Sequence, residues 1–244
     1  MQRINRSLFA LAAITATPFV YAGDELNQID NLVQLEFEAL SEDLGSALAY
    51  RSVSPAEPLG VTGFDVGISF TAVQLEGTQA WETAVGDSDF SSTLYVPRIN
   101  LVKGLPLGID VGAFYTSVPT TNIKLWGAEV KYAIWEGGVA TPALAVRGSY
   151  TTLSGVDQLS FSTVGLDLSI SKGFALLTPY AGVGIQRVDS KPQQDAAVML
   201  DDEKFTQSRL FAGMNINFGL LNTALELDKT GDASSYTLKF GLRF

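Results

Sequence analysis

From Phe64 onward the chain is written in a period of two. In Phe64-Asp65-Val66-Gly67-Ile68-Ser69-Phe70 the even positions are large and apolar and the odd ones polar or tiny, which is a strand with one greasy face. The pattern recurs near 92–103, 108–117, 123–134, 141–152, 159–171, 177–188, 205–219, 221–228 and 234–244, giving ten candidate strands. Their lengths match the roughly 9 to 11 residues that carry a tilted strand across a bilayer, allowing for overhang. The expected fold is all-β: an antiparallel up-and-down transmembrane barrel of about ten strands, within a range of about 8 to 12.

The connections bear on the same expectation, because in a barrel of this kind short periplasmic turns alternate with longer outside loops. Long stretches separate strands one and two (Glu76 to Ser91) and strands seven and eight (Asp189 to Lys204). Lys229-Thr230-Gly231-Asp232-Ala233 is read as a further outside loop, and those around Pro119 and Gly155-Val156-Asp157 are modest. The links Gly104-Leu105-Pro106-Leu107, Glu136-Gly137-Gly138, Lys172-Gly173-Phe174 and Leu220-Leu221 are read as tight. With strand one running outward, Tyr95, Tyr115, Trp126, Tyr150 and Tyr236 fall on the apolar face near the outer ends. Phe64, Tyr132 and Phe244 fall on it near the periplasmic ends, so the aromatics sort into two interface belts.

Residues 1–22 read as a secretory signal: Arg3 and Arg6 open it, Leu8 to Val20 form an apolar core, and Val20-Tyr21-Ala22 resembles a cleavage site. Residues 23–59 are read as an amphipathic helix and linker, and 60–244 as the barrel. Leu26, Ile29, Val33, Phe37, Leu40, Leu44 and Leu48 recur at spacings of three and four, predicting a helix over 25–48. Its other face carries Asp24, Glu25, Asp30, Glu36, Glu38, Glu42 and Asp43, a charge pattern unsuited to an anionic lipid surface. Pro55 and Pro58 are expected to end it. Packing against the rest of the protein, plugging the lumen and binding a partner are the three roles open to this helix.

Composition narrows the chemistry. The chain has no Cys and no His, so thiolate chemistry, disulfides and His-based triads or metal sites are excluded. Arg3 and Arg6 leave with the signal, turning the 16 basic residues into 14 against 26 acidic ones. That balance argues against a nucleic-acid partner, which needs clustered Lys and Arg. Asp201-Asp202-Glu203, with Asp189 and Asp195, is a weak candidate for a loose cation site whose spacing matches no EF-hand loop; a solvated acidic loop is the plainer interpretation. No metal, cofactor or catalytic residue is expected.

Opposite the greasy face lie Asp65, Arg98, Asn100, Asp110, Glu129, Lys131, Arg147, Asp167, Gln186, Arg209, Asn215, Asn217, Glu226, Lys239 and Arg243. Both signs are interspersed, which predicts an ion-paired lumen or, alternatively, a narrow conducting one. Gly67, Gly112, Gly127, Gly165, Gly182, Gly184, Gly213 and Gly241 also face inward. They let strands bend and close, or clear room for the helix or for an apolar ligand.

The last ten residues, Ser235-Tyr236-Thr237-Leu238-Lys239-Phe240-Gly241-Leu242-Arg243-Phe244, alternate and stop on Phe. In this they resemble the final strand of bacterial outer-membrane β-barrels, and Pro179-Tyr180-Ala181-Gly182-Val183-Gly184 is similar to a strand of small barrels of the outer-membrane protein A and W type. The resemblance covers 60–244 as a pattern. It implies residence in the bacterial outer membrane, contact with its lipids, and recognition of the strand ending in Phe244 by the barrel-assembly machinery. The familiar outer-membrane enzyme barrels use a His, so the expectation is a non-enzyme: a structural barrel or narrow passive channel. Two alternatives stand beside it: a binding or transport protein for a small hydrophobic molecule, and a soluble periplasmic lipocalin-like binder.

Overall fold

A computed structural model describes residue 26 and residues 28–88, 90–117, 123–138 and 140–244. The signal segment, the expected helix start at Glu25 and the loop around Pro119 lie outside the described residues. The strands are β1 Phe64–Gln74, β2 Thr93–Gly104, β3 Ile109–Ser117, β4 Lys124–Trp135, β5 Ala143–Ser154, β6 Leu159–Ser171, β7 Leu177–Pro192, β8 Glu203–Phe218, β9 Leu221–Thr230 and β10 Ala233–Arg243. Each pairs antiparallel with its sequence neighbours, and β1 pairs with β10, so the sheet is a closed up-and-down barrel. Phe64 and Phe244 exchange backbone hydrogen bonds of 2.7 and 3.0 Å across the seam. Closure leaves no edge, the condition for a sheet surrounded by hydrocarbon.

The alternation read from the sequence sorts the two faces. Val66 and Ile99 on the outside are 43% and 59% exposed, whereas Asp65 and Arg98 beside them are each 1% exposed. A soluble barrel needs the opposite arrangement, so the lipocalin-like alternative is set aside. Tyr95, Tyr115, Trp126, Tyr150, Tyr236 and Phe244 all stand exposed on the outer face, as does Tyr132. Pro97 of β2 faces Phe70 of β1, and the β2–β3 pairing starts only at Ile99. The proline thus sits where β2 has lost one neighbour and its missing donor costs no ladder bond.

Four expectations need correction. β9 and β10 are joined by Gly231-Asp232 alone, with Gly231 at φ 57°, so this is a tight hairpin and not a longer loop. The β4–β5 link runs over 136–142 and is longer than the tight turn expected. β7 and β8 reach to Pro192 and back from Glu203, leaving only 193–202 as their connection. Within the β1–β2 connection, Thr78–Val85 forms a helix that the alternation did not announce.

The N-terminal helix is also shorter than its stripe. α1 is Gln34–Leu48, preceded by a 3-10 turn at Ile29–Asn31. Glu36 reaches back to accept the Val33 backbone N–H at 3.2 Å, closing the helix start, and Val33 itself points to solvent. Phe37, Leu40, Leu44 and Leu48 carry the buried stripe. The helix ends at Leu48, well before Pro55, so the prolines are not its terminator. Ala49 turns to φ −47°, ψ 141°, and residues beyond it run non-helically to β1. The helix of the β1–β2 connection, α2 Thr78–Val85, packs on α1.

Candidate functional site

The barrel has a near rim, where β1 begins and β10 ends, and a far rim with the longer β1–β2 and β7–β8 connections. At the far rim Ile29 donates its backbone N–H to Gln158 at 2.9 Å, and the Gln34 side chain accepts from the Asp201 N–H at 2.8 Å. Toward the near rim Leu59 donates to the Asp110 carboxylate at 3.1 Å. The segment from Ile29 to Leu59 therefore enters at the far rim and passes down inside the barrel to the strand it continues into. The lumen is occupied by the chain's own N-terminal segment.

In the far half the filling is apolar. Phe37, Leu40, Leu44 and Leu48 of α1 join Trp81 and Ala84 of α2 and the wall residues Phe114, Leu125, Phe161 and Val188 in one buried cluster. The helix touches the wall closely at Gly45, where a Cβ would meet Gln207 Oε1 at 2.5 Å and Val188 at 2.9 Å. Gln186 donates to the Gly45 carbonyl at 2.7 Å, and Ser46 donates to the Thr230 carbonyl at 2.7 Å. Asp43, expected on a solvated face, is 3% exposed and accepts from Glu76 N, Gly77 N and Trp81 Nε1 at 3.0, 2.9 and 3.1 Å. Its carboxylate satisfies free N–H groups at the start of α2, where the helix dipole favours a negative charge.

Below the helix the filling is ionic. Arg209 reaches three carboxylates: Asp228 through Nε, Glu226 at 3.0 Å and Asp167 at 3.4 Å. Asp167 also holds Arg147 at 2.5 Å, and Arg147 lies 3.6 Å from Glu129. Asp228 holds Arg51 of the inserted segment at 2.9 Å, and Tyr180 donates to Glu226 at 2.9 Å. Two separate pairs stand nearer the rim: Lys131 with Asp110 at 3.0 Å, and Lys239 with Asp65 at 2.8 Å, beside which Arg243 lies 3.9 Å away. Asn100 donates to Ser69 at 2.8 Å. Thus Asp65, Arg98, Asn100, Asp110, Glu129, Lys131, Arg147, Asp167, Arg209 and Lys239 are all buried inside the barrel, with Arg243 partly so.

Several of these cations also hold the inserted backbone. Arg98 donates to the carbonyls of Ala49 and Ala47 at 2.9 and 3.0 Å and lies over the Phe114 ring. Arg51 donates to Ser46 O at 2.8 Å, so two guanidinium groups meet the C-terminal end of α1, where free carbonyls and the dipole favour a cation. Arg209 donates to Tyr50 O at 2.8 Å and Lys131 to Pro55 O at 2.9 Å. Ser52 donates to Glu129 at 2.8 Å. Most wall charges therefore pair with one another and several use further N–H groups on the segment, while Arg98 is held by backbone carbonyls and the Phe114 ring instead of a carboxylate.

Reading strands alone missed Arg51, Asp228 and Tyr180. Asp228 shares the parity of Glu226 and was legible from it. Arg51 carried no signal, because nothing in the pattern places residues before β1 inside the barrel. The inward glycines mostly clear space for neighbouring wall side chains: a Cβ at Gly127 would meet the Phe114 ring, at Gly182 Phe211, at Gly213 Tyr180 and at Gly184 Asp167. No group of His, Cys, Asp or Glu among the described residues is arranged to hold a metal ion. Asp202 of the acidic loop pairs with Lys204 at 3.1 Å.

Glu42, on the exposed side of α1, has its carboxyl raised above the ordinary 4.5, first by partial burial and then by Glu38, Asp232, Asp43 and Glu203. A raised carboxyl penalises the folded state once it ionises, so the penalty is absent below pH 4.5 and grows as pH rises through the raised value. Glu42→Gln is expected to raise the melting temperature at neutral pH, with the gain vanishing below the ordinary carboxyl range. A melting series across pH checks this, and a gain that grows on acidification contradicts it.

These features define a class: a closed ten-stranded antiparallel β-barrel, apolar on its outer wall, whose lumen is filled by its own N-terminal segment, apolar in the far half and ionic below. No family model matches the chain, and no curated protein does. Among solved structures it is similar to the N-terminal β-barrel domain of Pseudomonas aeruginosa OprF, at 13% identity over 76% of this chain and 99% of that one, with a TM-score of 0.36. It is also similar to Ail, the attachment invasion locus protein of Yersinia pestis, at 12% identity over 75% and 97%, with a TM-score of 0.29. The class rests on the barrel's own wall and closure.

Proposed function

We propose that the protein is a bacterial outer-membrane β-barrel, closed by its own N-terminal segment, that serves as a structural element and not as a standing diffusion pore. The observation that carries this is the buried path from Phe37 to Ala56, gripped by wall cations along its length. Passive conduction requires that segment to leave. In this reading the lipids surround the apolar wall, the assembly machinery reads the strand ending in Phe244, and residues 1–22 direct export. A site for a hydrophobic molecule behind the helix is disfavoured, because the apolar stripe already packs on Trp81, Phe114 and Phe161.

Planar-bilayer recording tests it. The intact mature chain is expected to add no steady conductance, while a chain lacking residues 23–59 gives ohmic steps. Gly45→Val, which pushes α1 off β7 and β8 without removing it, is expected to give intermittent openings. Steady steps of the same size in intact and truncated proteins would overturn the closed-barrel proposal.

A further inference from the structure

The outer aromatic belt does not go all the way round. Tyr236 on β10, Phe70 on β1, Tyr95 on β2, Tyr115 on β3, Trp126 on β4 and Tyr150 on β5 form a continuous arc of exposed rings. On β6 to β9 the outward positions hold one aromatic, Phe218, and that lies beside the turn at the near rim. Register shows what replaces the rings: Tyr150 faces Val164 on β6, Val164 faces Arg187 on β7, and Arg187 faces Thr206 on β8. Ser208 faces Ile185, and Leu210 faces Lys229 on β9. Arg187 and Lys229 thus sit diagonally on either side of Ser208, with Thr206 beside Arg187, and all four are exposed.

The chemistry of this gap is specific. Neighbouring Lys191 and Lys204 are already paired with Asp189 and Asp202, each at 3.1 Å. Arg187 and Lys229 have no carboxylate within ion-pair distance among the described residues. A belt of rings suits the boundary between hydrocarbon and headgroups. Two cations with two hydroxyls on one patch of the outer wall, beside Val164, Ile185, Leu210 and Leu227, suit an anion whose tail lies on that apolar wall. Guanidinium forks match phosphate oxygens, and the hydroxyls supply further donors.

We infer that the outer wall of β7 to β9 binds a lipid bearing a phosphate headgroup, held by Arg187, Lys229, Ser208 and Thr206. This rests on the membrane placement proposed above. The surrounding loops are acidic, so the two cations give an anionic headgroup one favourable place to approach the far rim on this side.

The test uses the full mature chain in phosphatidylcholine vesicles with a minor fraction of phosphatidic acid, released for native mass spectrometry. The native barrel is expected to retain phosphatidic acid, and the double variant R187Q/K229Q to retain about 30-fold less, the loss for two cations at an anionic surface. K124Q, which removes an outer-wall cation next to the aromatic arc, is expected to change nothing. Retention by the double variant equal to native, or no native preference for phosphatidic acid over phosphatidylcholine, overturns the inference. Displacement by inorganic phosphate overturns its lipid form. Heat-modifiable migration in vesicles of phosphatidylcholine alone reports insertion separately; failure there sinks the membrane placement and this site with it.

Discussion

Replacing Arg209 by alanine is expected to lower the stability of the barrel by about 3–5 kcal/mol, the range for stripping one partner from a buried charge cluster. Arg209 is the hub of the lumen: Asp167, Glu226 and Asp228 all lie within 3.4 Å of it, and it holds the Tyr50 carbonyl as well. Without it three carboxylates share Arg147 and Arg51, and like charges are left facing each other where water does not reach. Urea titration of the heat-modifiable form in lipid vesicles measures the loss. The same variant is expected to let the inserted segment fluctuate, visible as brief conductance. A loss below about 1 kcal/mol, the ordinary scale of exposed pairs, would mean that the cluster hydrates and is not sealed.

Val146→Arg is expected to destabilise the barrel clearly more than Ser149→Arg, though by less than the roughly 2–4 kcal/mol of a midplane site, because Val146 pairs with Tyr132 toward the near interface. Val146 points to the outside between Tyr132 and Leu168, both exposed apolar neighbours, so an arginine there meets hydrocarbon. Ser149 points inward, half-buried, between Glu129 and Gly165, where a guanidinium finds a carboxylate. Folding titrations of the two variants side by side decide it. The reverse order would show that the face assignment of β5 is exchanged, as a slip of one residue does.

Strand existence and faces were readable because a lipid-facing wall imposes the same alternation on every segment. Strand ends were not, for a physical reason. Beyond Ile185 the outward positions of β7 become Arg187, Asp189 and Lys191, so the strand goes on pairing with β8 while its apolar signal is gone. The helix was readable as a stripe but its limits were not, since Leu26, Ile29 and Leu32 are buried from a 3-10 turn and extended backbone instead of a continuous helix. α2 had a signal in Ala80, Trp81, Ala84 and Val85, whose spacing of one and three buries one face. The lumen lattice was half visible: wall charges follow from parity, but which carboxylate meets which guanidinium depends on barrel shear and on Arg51 arriving from outside the sheet.

The path of the inserted segment also fixes an order of events during assembly. Arg51 meets Asp228 across 177 residues of sequence, and Ser46 meets Thr230 across 184. Neither lock exists until β9, the last strand but one, is in place. A stretch that runs lengthwise through a closed ring is most simply laid down before the ring closes, since later entry means threading an end through a packed interior. The β1–β10 seam then becomes the final step, shut around material already seated. Such long-range pairing makes that step slow, because the loop entropy is lost before the contacts repay it.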